Sequence, residues 1–266
     1  MRVCILLLMW LASFSVAGQD VRTRSIKLRQ VVTVSVDRLG NFYAISQTGR
    51  LSKYSPDGKL LAAKQLTEHE PPTLIEPWNP LRVFFYHRKT QQVAWFDYNL
   101  DELSILTLDP VWAVEPMLVC PTPDNNLWIL DGGDYSLKRI SLKDNAIVLD
   151  APLDTTDFAP QPHVVQMREY QNMMFILDKK SGISVFNNVG QKIFFLPASG
   201  ISFFSFMGEE LYYLRQGEIV FVDLYTQEKR TLKAPPLVSA AVVTDERIYY
   251  VRPRKLEIVP HTPPQN

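Results

Sequence analysis

The sequence predicts an all-β fold, a six-bladed β-propeller with four antiparallel strands per blade, and three observations carry that prediction. Short runs rich in β-branched and aromatic residues alternate with tight-turn residues along the chain, and no stretch of a dozen residues keeps a helical period. An apolar, usually aromatic pair recurs at Phe42-Tyr43, Phe84-Phe85, Leu127-Trp128, Met174-Phe175, Leu211-Tyr212 and Ile248-Tyr249. Its mean step is about 41 residues, the length of four short strands with their turns. Finally, the last unit ends one strand short while residues 24–28 form a spare strand at the start, so the ends can complete one blade and close a ring.

The clearest unit runs from Asn41 to Leu66. Asn41 to Ser46 alternates, Gln47-Thr48-Gly49 reverses the chain, Arg50 to Tyr54 runs back, and Ser55-Pro56-Asp57-Gly58 turns it again into Lys59 to Leu66. Each marker pair is preceded by an inner strand: Val31 to Val36, Thr73 to Glu76, Met117 to Cys120, His163 to Arg168, Ile201 to Met207 and Leu237 to Val243. Third and fourth strands are clearest in Gly182 to Phe186 with Gln191 to Leu196, and in Glu218 to Val222 with Glu228 to Leu232. Apolar residues of both parities, as in Val83-Phe84-Phe85-Tyr86, suit sheets covered on both faces.

Residues 1–18 have the layout of a cleaved signal peptide: Arg2, the apolar run Ile5 to Leu11, then small residues through Ala17-Gly18. The run is too short to span a bilayer, and no later segment reaches the ~20 residues a transmembrane helix needs. Export to the periplasm, cell envelope or extracellular space follows, with residues 19–266 as a single propeller domain. Cys4 lies in the leader and leaves Cys120 as the one cysteine of the mature chain, so the domain relies on core packing rather than a disulfide. With 46% hydrophobic residues it has the means. The 28 basic and 28 acidic residues balance, which argues against a general affinity for nucleic acid or anionic membrane.

Asp37, Gly40-Asn41, Phe42-Tyr43, Gly49 and Pro56-Asp57-Gly58 make the first unit resemble the NHL-type repeat and related six-bladed propellers of exported bacterial proteins. The third unit keeps Asp124, Asn126, Leu127-Trp128 and Lys138-Arg139-Ile140. The resemblance implies a scaffold rather than an activity. It also brings in an alternative, a lactonase-like hydrolase holding a divalent cation near the axis on converging oxygen ligands. The inner strands here are mostly apolar, and Asp131-Gly-Gly-Asp134 reads as a turn, so no metal and no cofactor are expected. The chain has no Gly-x-Ser-x-Gly elbow, His-Glu-x-x-His pair, phosphate-cradling glycine loop or Cys-x-x-Cys. No catalytic residue is assigned, and Cys120 reads as a buried inert thiol.

Surface is left to carry function. Turns between second and third strands share a rim with the loops between blades, and there they carry Arg88, Lys180, Arg215 and Arg252. Acidic tips such as Asp57, Asp101-Glu102, Asp144, Glu209-Glu210 and Asp245-Glu246 fall on the other rim. Long proline-rich interblade loops bring Trp112 and Phe158, with His69 and His163, towards the basic mouth; either ring alone also fits a lid over the core. The sequence therefore points to an exported, non-enzymatic propeller that binds a partner protein or envelope component on its basic rim.

Overall fold

The computed structural model describes residues 23–28, 30–66 and 71–262. The leader over residues 1–18, and His69, lie outside them. β1 (Arg24–Lys27) comes first. Blade 1 is β2 (Val31–Val36), β3 (Phe42–Ser46), β4 (Arg50–Tyr54) and β5 (Leu60–Gln65); blade 2 is β6 (Leu74–Glu76), β7 (Val83–His87), β8 (Gln92–Phe96) and β9 (Glu102–Thr107). Blade 3 is β10 (Pro116–Pro121), β11 (Leu127–Asp131), β12 (Ser136–Ser141) and β13 (Ala146–Pro152); blade 4 is β14 (Val164–Tyr170), β15 (Met173–Asp178), β16 (Gly182–Asn187) and β17 (Lys192–Pro197). Blade 5 is β18 (Phe204–Met207), β19 (Glu210–Arg215), β20 (Glu218–Asp223) and β21 (Lys229–Lys233); blade 6 begins with β22 (Ala240–Val243), β23 (Arg247–Arg252) and β24 (Lys255–Pro260). Among the described residues there is no helix, hence none long and apolar enough to cross a membrane.

The protein is a six-bladed β-propeller. Every sheet has four antiparallel strands, and the sixth is completed by β1, with Arg24 opposite Ile258 and Lys27 opposite Lys255. The closure continues past the strand, where the Leu28 N–H donates to the Arg254 carbonyl at 3.1 Å. Blade 1 docks onto this seam. Gly58 holds φ +81° in the β4–β5 turn, and a Cβ there would come within 2.7 Å of Ile26 and 2.9 Å of Ile258, so only glycine lets the turn lie so close.

Local sequence sets the turns. The β4–β5, β8–β9, β12–β13, β16–β17 and β20–β21 turns open with Ser55, Asp97, Ser141, Asn187 and Asp223, whose side-chain oxygens accept backbone N–H groups ahead of them. A β-bulge recurs between third and fourth strands in blades 1 to 4, at Lys53/Tyr54, Trp95/Phe96, Arg139/Ile140 and Val185/Phe186. Blades 5 and 6 lack it.

Two sequence expectations shift. The fifth and sixth inner strands start at Phe204 and Ala240 rather than Ile201 and Leu237, the latter having φ 61°, outside strand geometry. In blade 2 the marker pair slips by one residue. Second members Tyr43, Trp128, Phe175, Tyr212 and Tyr249 face the next blade, whereas Phe85 packs back against blade 1 and Phe84 looks forward. Because strand side chains alternate, the true pair is Val83-Phe84. With that correction every blade sends a fully buried aromatic ring forward, and three rings add a polar latch. Trp128 Nε1 donates to Glu169, the Tyr212 hydroxyl bonds to Val243 and the Tyr249 hydroxyl to Gly40.

Candidate functional site

Arg88, Lys180, Arg215 and Arg252 lie on or beside the turns between second and third strands, on the rim that strand order requires. Each also has a partner within the protein. Arg88 pairs with Glu115 at 2.5 Å and Arg252 with Glu257 at 2.8 Å, while Lys180 donates to the Gln161 carbonyl at 2.5 Å and Arg215 to that of Pro197 at 3.4 Å. Trp112 is buried in the core between blades 2 and 3, and Phe158 packs half-buried against the same core. His163 is exposed, and its backbone N–H is tied to Asp178.

Two buried carboxylates organise this rim. Asp131 Oδ1 accepts the N–H groups of Glu115 (2.8 Å) and Gly133 (2.9 Å), and Oδ2 accepts those of Val114 (2.9 Å) and the Lys138 ammonium (2.7 Å). Asp178 does the same one blade on, accepting from His163, Lys180, Ala159 and Ser181. Burial alone would raise both acids. The donors outweigh it, bringing Asp131 to about 2 and Asp178 below the usual carboxylate range. Thus Asp131 is a joint that clamps an interblade loop to a hairpin, and the Asp131-Gly-Gly-Asp134 stretch is a turn.

The opposite mouth holds a cleft of about 340 Å3 over the C-terminal ends of the inner strands of blades 2, 3 and 4. Blade 2 supplies the long loop Glu76-Pro77-Trp78-Asn79-Pro80, whose prolines prevent a tight hairpin. Trp78 is 44% exposed there. Blade 3 supplies Asn125 at φ 64°, where asparagine is tolerated, and blade 4 the Gln171-Asn172 turn with both residues at positive φ. Arg168 forms the inner wall. It is 5% exposed, pairs with Glu76 at 2.9 Å, donates to Ser205 at 3.2 Å and lies 5.4 Å from the Trp78 ring centre. Arg82 stacks over Trp95 at 5.0 Å and donates to Asn125 Oδ1 at 2.7 Å. Tyr170 stacks on Phe206 at 4.0 Å.

Acid chemistry in the cleft is unlike that of the rim. Glu169 is raised above the ordinary glutamate range because burial outweighs a single side-chain donor, Trp128 Nε1 at 2.8 Å, and the nearby Arg139 charge. Cys120, on the floor of the cleft, is pushed well up by burial and by the charges of Glu169 and Glu76, so it is a protonated thiol.

The axial channel, about 360 Å3, opens on the other rim between Val31 to Val34, Thr73 to Ile75, Val165, Phe203 and Ala240. Among the described residues no three His, Cys, Asp or Glu side chains come together to hold a metal ion.

No protein-family model matches the chain, and no curated protein matches its sequence. Solved structures do match. A catalytically inactive virginiamycin B lyase from Staphylococcus aureus with quinupristin aligns over 90% of this chain and 100% of the other, at 12% identity and a TM-score of 0.57. The likeness is one of fold. The Pan2 WD40 domain of Neurospora crassa aligns over 90% of both chains at 10% identity and a TM-score of 0.56. The extracellular domain of a B. thetaiotaomicron one component system aligns over 88% of this chain and 34% of the other, at 9% identity and a TM-score of 0.55.

Trp78, Arg82, Arg168, Glu169 and Tyr170 line the mouth opposite the basic rim that the sequence singled out, and none of them is among its candidate residues. The available signals were the Pro-Trp-Asn-Pro interruption where other blades have tight turns, and the Arg168-Glu169-Tyr170 cluster ending an apolar inner strand.

Proposed function

We propose that this protein is an exported, non-enzymatic binding module of the NHL-like propeller kind, and that it holds a partner protein or cell-envelope component in the cleft over blades 2 to 4. The observation that carries this reading is a concave site with an exposed Trp78 and a half-buried Glu169 that has one side-chain donor, Trp128 Nε1. Glu76 and Arg168 satisfy each other and orient Trp78, so they build the wall rather than act as reactants. The leader-like residues 1–18 support export.

The test is to purify the protein from its own cells beside two variants, Trp78→Ala and a quadruple variant of Arg88→Glu, Lys180→Glu, Arg215→Glu and Arg252→Glu. A partner kept by the quadruple variant and lost by Trp78→Ala supports the cleft. The reverse pattern moves the binding surface to the basic rim.

A further inference from the structure

Resting on the cleft as the binding surface, the hydrogen-bond polarity of its walls narrows what it takes. Most of its side-chain acceptors already hold a donor from the protein, Glu169 only the Trp128 indole N–H. Glu76 accepts from the Trp78 N–H at 3.0 Å and from Arg168; Asn79 Oδ1 accepts from the Leu81 N–H at 3.1 Å; Asn125 Oδ1 accepts from Arg82; and Asn126 Oδ1 accepts from the Leu142 N–H at 3.2 Å. The donors are mostly uncommitted. The Trp78 indole N–H, the amide NH2 groups of Asn79 and Asn125, and the remaining N–H groups of Arg82 make no hydrogen bond among the described residues. The site therefore offers more unengaged donors than unengaged acceptors, with Glu169 the acceptor left most open and aromatic faces between them.

Three ligand classes respond differently to such walls. Each saccharide hydroxyl brings a donor as well as an acceptor, and Glu169 is the one carboxylate of the wall with a single donor that is open to receive them; further hydroxyl donors buried without a partner are costly. An anion would sit beside Glu76 and Glu169 while the Arg168 charge is already neutralised. A proline-rich chain offers carbonyl acceptors, no N–H groups at proline, flat apolar rings for Trp78 and Tyr170, and an extended shape that is already ordered before binding.

We infer that the cleft recognises a proline-rich segment of a partner protein in the polyproline II conformation, with Trp78 as the platform and Asn79, Asn125 and Arg82 donating to its carbonyls. The mouth fits that use. Its rigid turns at Asn125 and Gln171-Asn172 hold the donors in place, so little ordering is left to occur on binding.

Titration of the purified protein with decaproline, followed by tryptophan fluorescence and calorimetry, tests the inference beside cellohexaose and chitohexaose as saccharide probes. Decaproline binding is expected to weaken about 10- to 100-fold in Trp78→Ala. In Asn125→Asp, which replaces the amide donor by an acceptor, about 3- to 10-fold is expected. Saccharide binding that depends on Trp78, with none for decaproline, overturns the proline assignment and leaves the cleft as the binding site. Decaproline binding unchanged in Trp78→Ala overturns the assignment and counts against the cleft as well. Absence of decaproline binding at millimolar concentration overturns the proline assignment alone, since co-purification decides the cleft separately.

Discussion

Asp131 and Glu169 stand at opposite mouths of one ring and show two ways of burying a carboxylate. Asp131 is surrounded by three backbone N–H groups and an ammonium, which hold its charge in place. Glu169 has one indole donor and a cleft beside it, and its charged form is disfavoured. A saturated carboxylate marks a structural joint, whereas one with a single side-chain donor beside a cavity keeps acceptor capacity open. The same contrast holds for cations, since Arg88 is spent on Glu115 while Arg82 keeps donors free over Trp95.

The largest effect expected from this comparison is on stability. Asp131→Ala leaves the buried Lys138 ammonium with Asp134 alone, at 3.2 Å, and strands three N–H groups, and should cost about 3–5 kcal/mol in equilibrium urea unfolding. A loss under about 1 kcal/mol would erase the distinction between the mouths.

Acid unfolding comes next. Asp131 and Asp178 are held below the unfolded aspartate value of about 3.9, so their contribution is full above that pH and is lost as pH falls towards about 2 for Asp131. Glu169 has the opposite sign: its burial penalty is relieved as pH drops through its raised value towards the unfolded glutamate value of about 4.3. Stability curves of Asp131→Asn and Glu169→Gln should accordingly flatten and steepen the acid limb, respectively. At neutral pH Glu169→Gln should stay within about 1 kcal/mol of the parent, because glutamine still accepts from Trp128 without a charge to bury.

The smallest effect is at the basic tips. The Arg88–Glu115 pair has side chains 40% and 56% exposed, so Arg88→Ala should cost no more than about 1 kcal/mol in the same unfolding assay.

The fold was legible because it is written in short range. Turn residues such as Ser55 and Asp97 act on their own hairpins, and aromatic markers recur at each blade interface, so reading them needed no knowledge of distant contacts. Residues 24–28 were legible as the closing strand through edge logic alone. The slip at Phe84-Phe85 arose because both parities of that strand are aromatic and buried, which removes the period-two signal. The site was harder. Charge at Arg88 or Arg252 is visible in sequence, but its neutralisation by Glu115 or Glu257 is a tertiary fact. Conversely Trp78, Arg168 and Asn125 come from three blades and meet only once the ring is closed.

Carboxyl-carbon NMR titration of Asp131 and Glu169 in one sample tests the account most directly. Asp131 should titrate near 2 and Glu169 above the ordinary glutamate range. Glu169 titrating at or below the ordinary value, as an acid that is already solvated or fully bonded would, contradicts it.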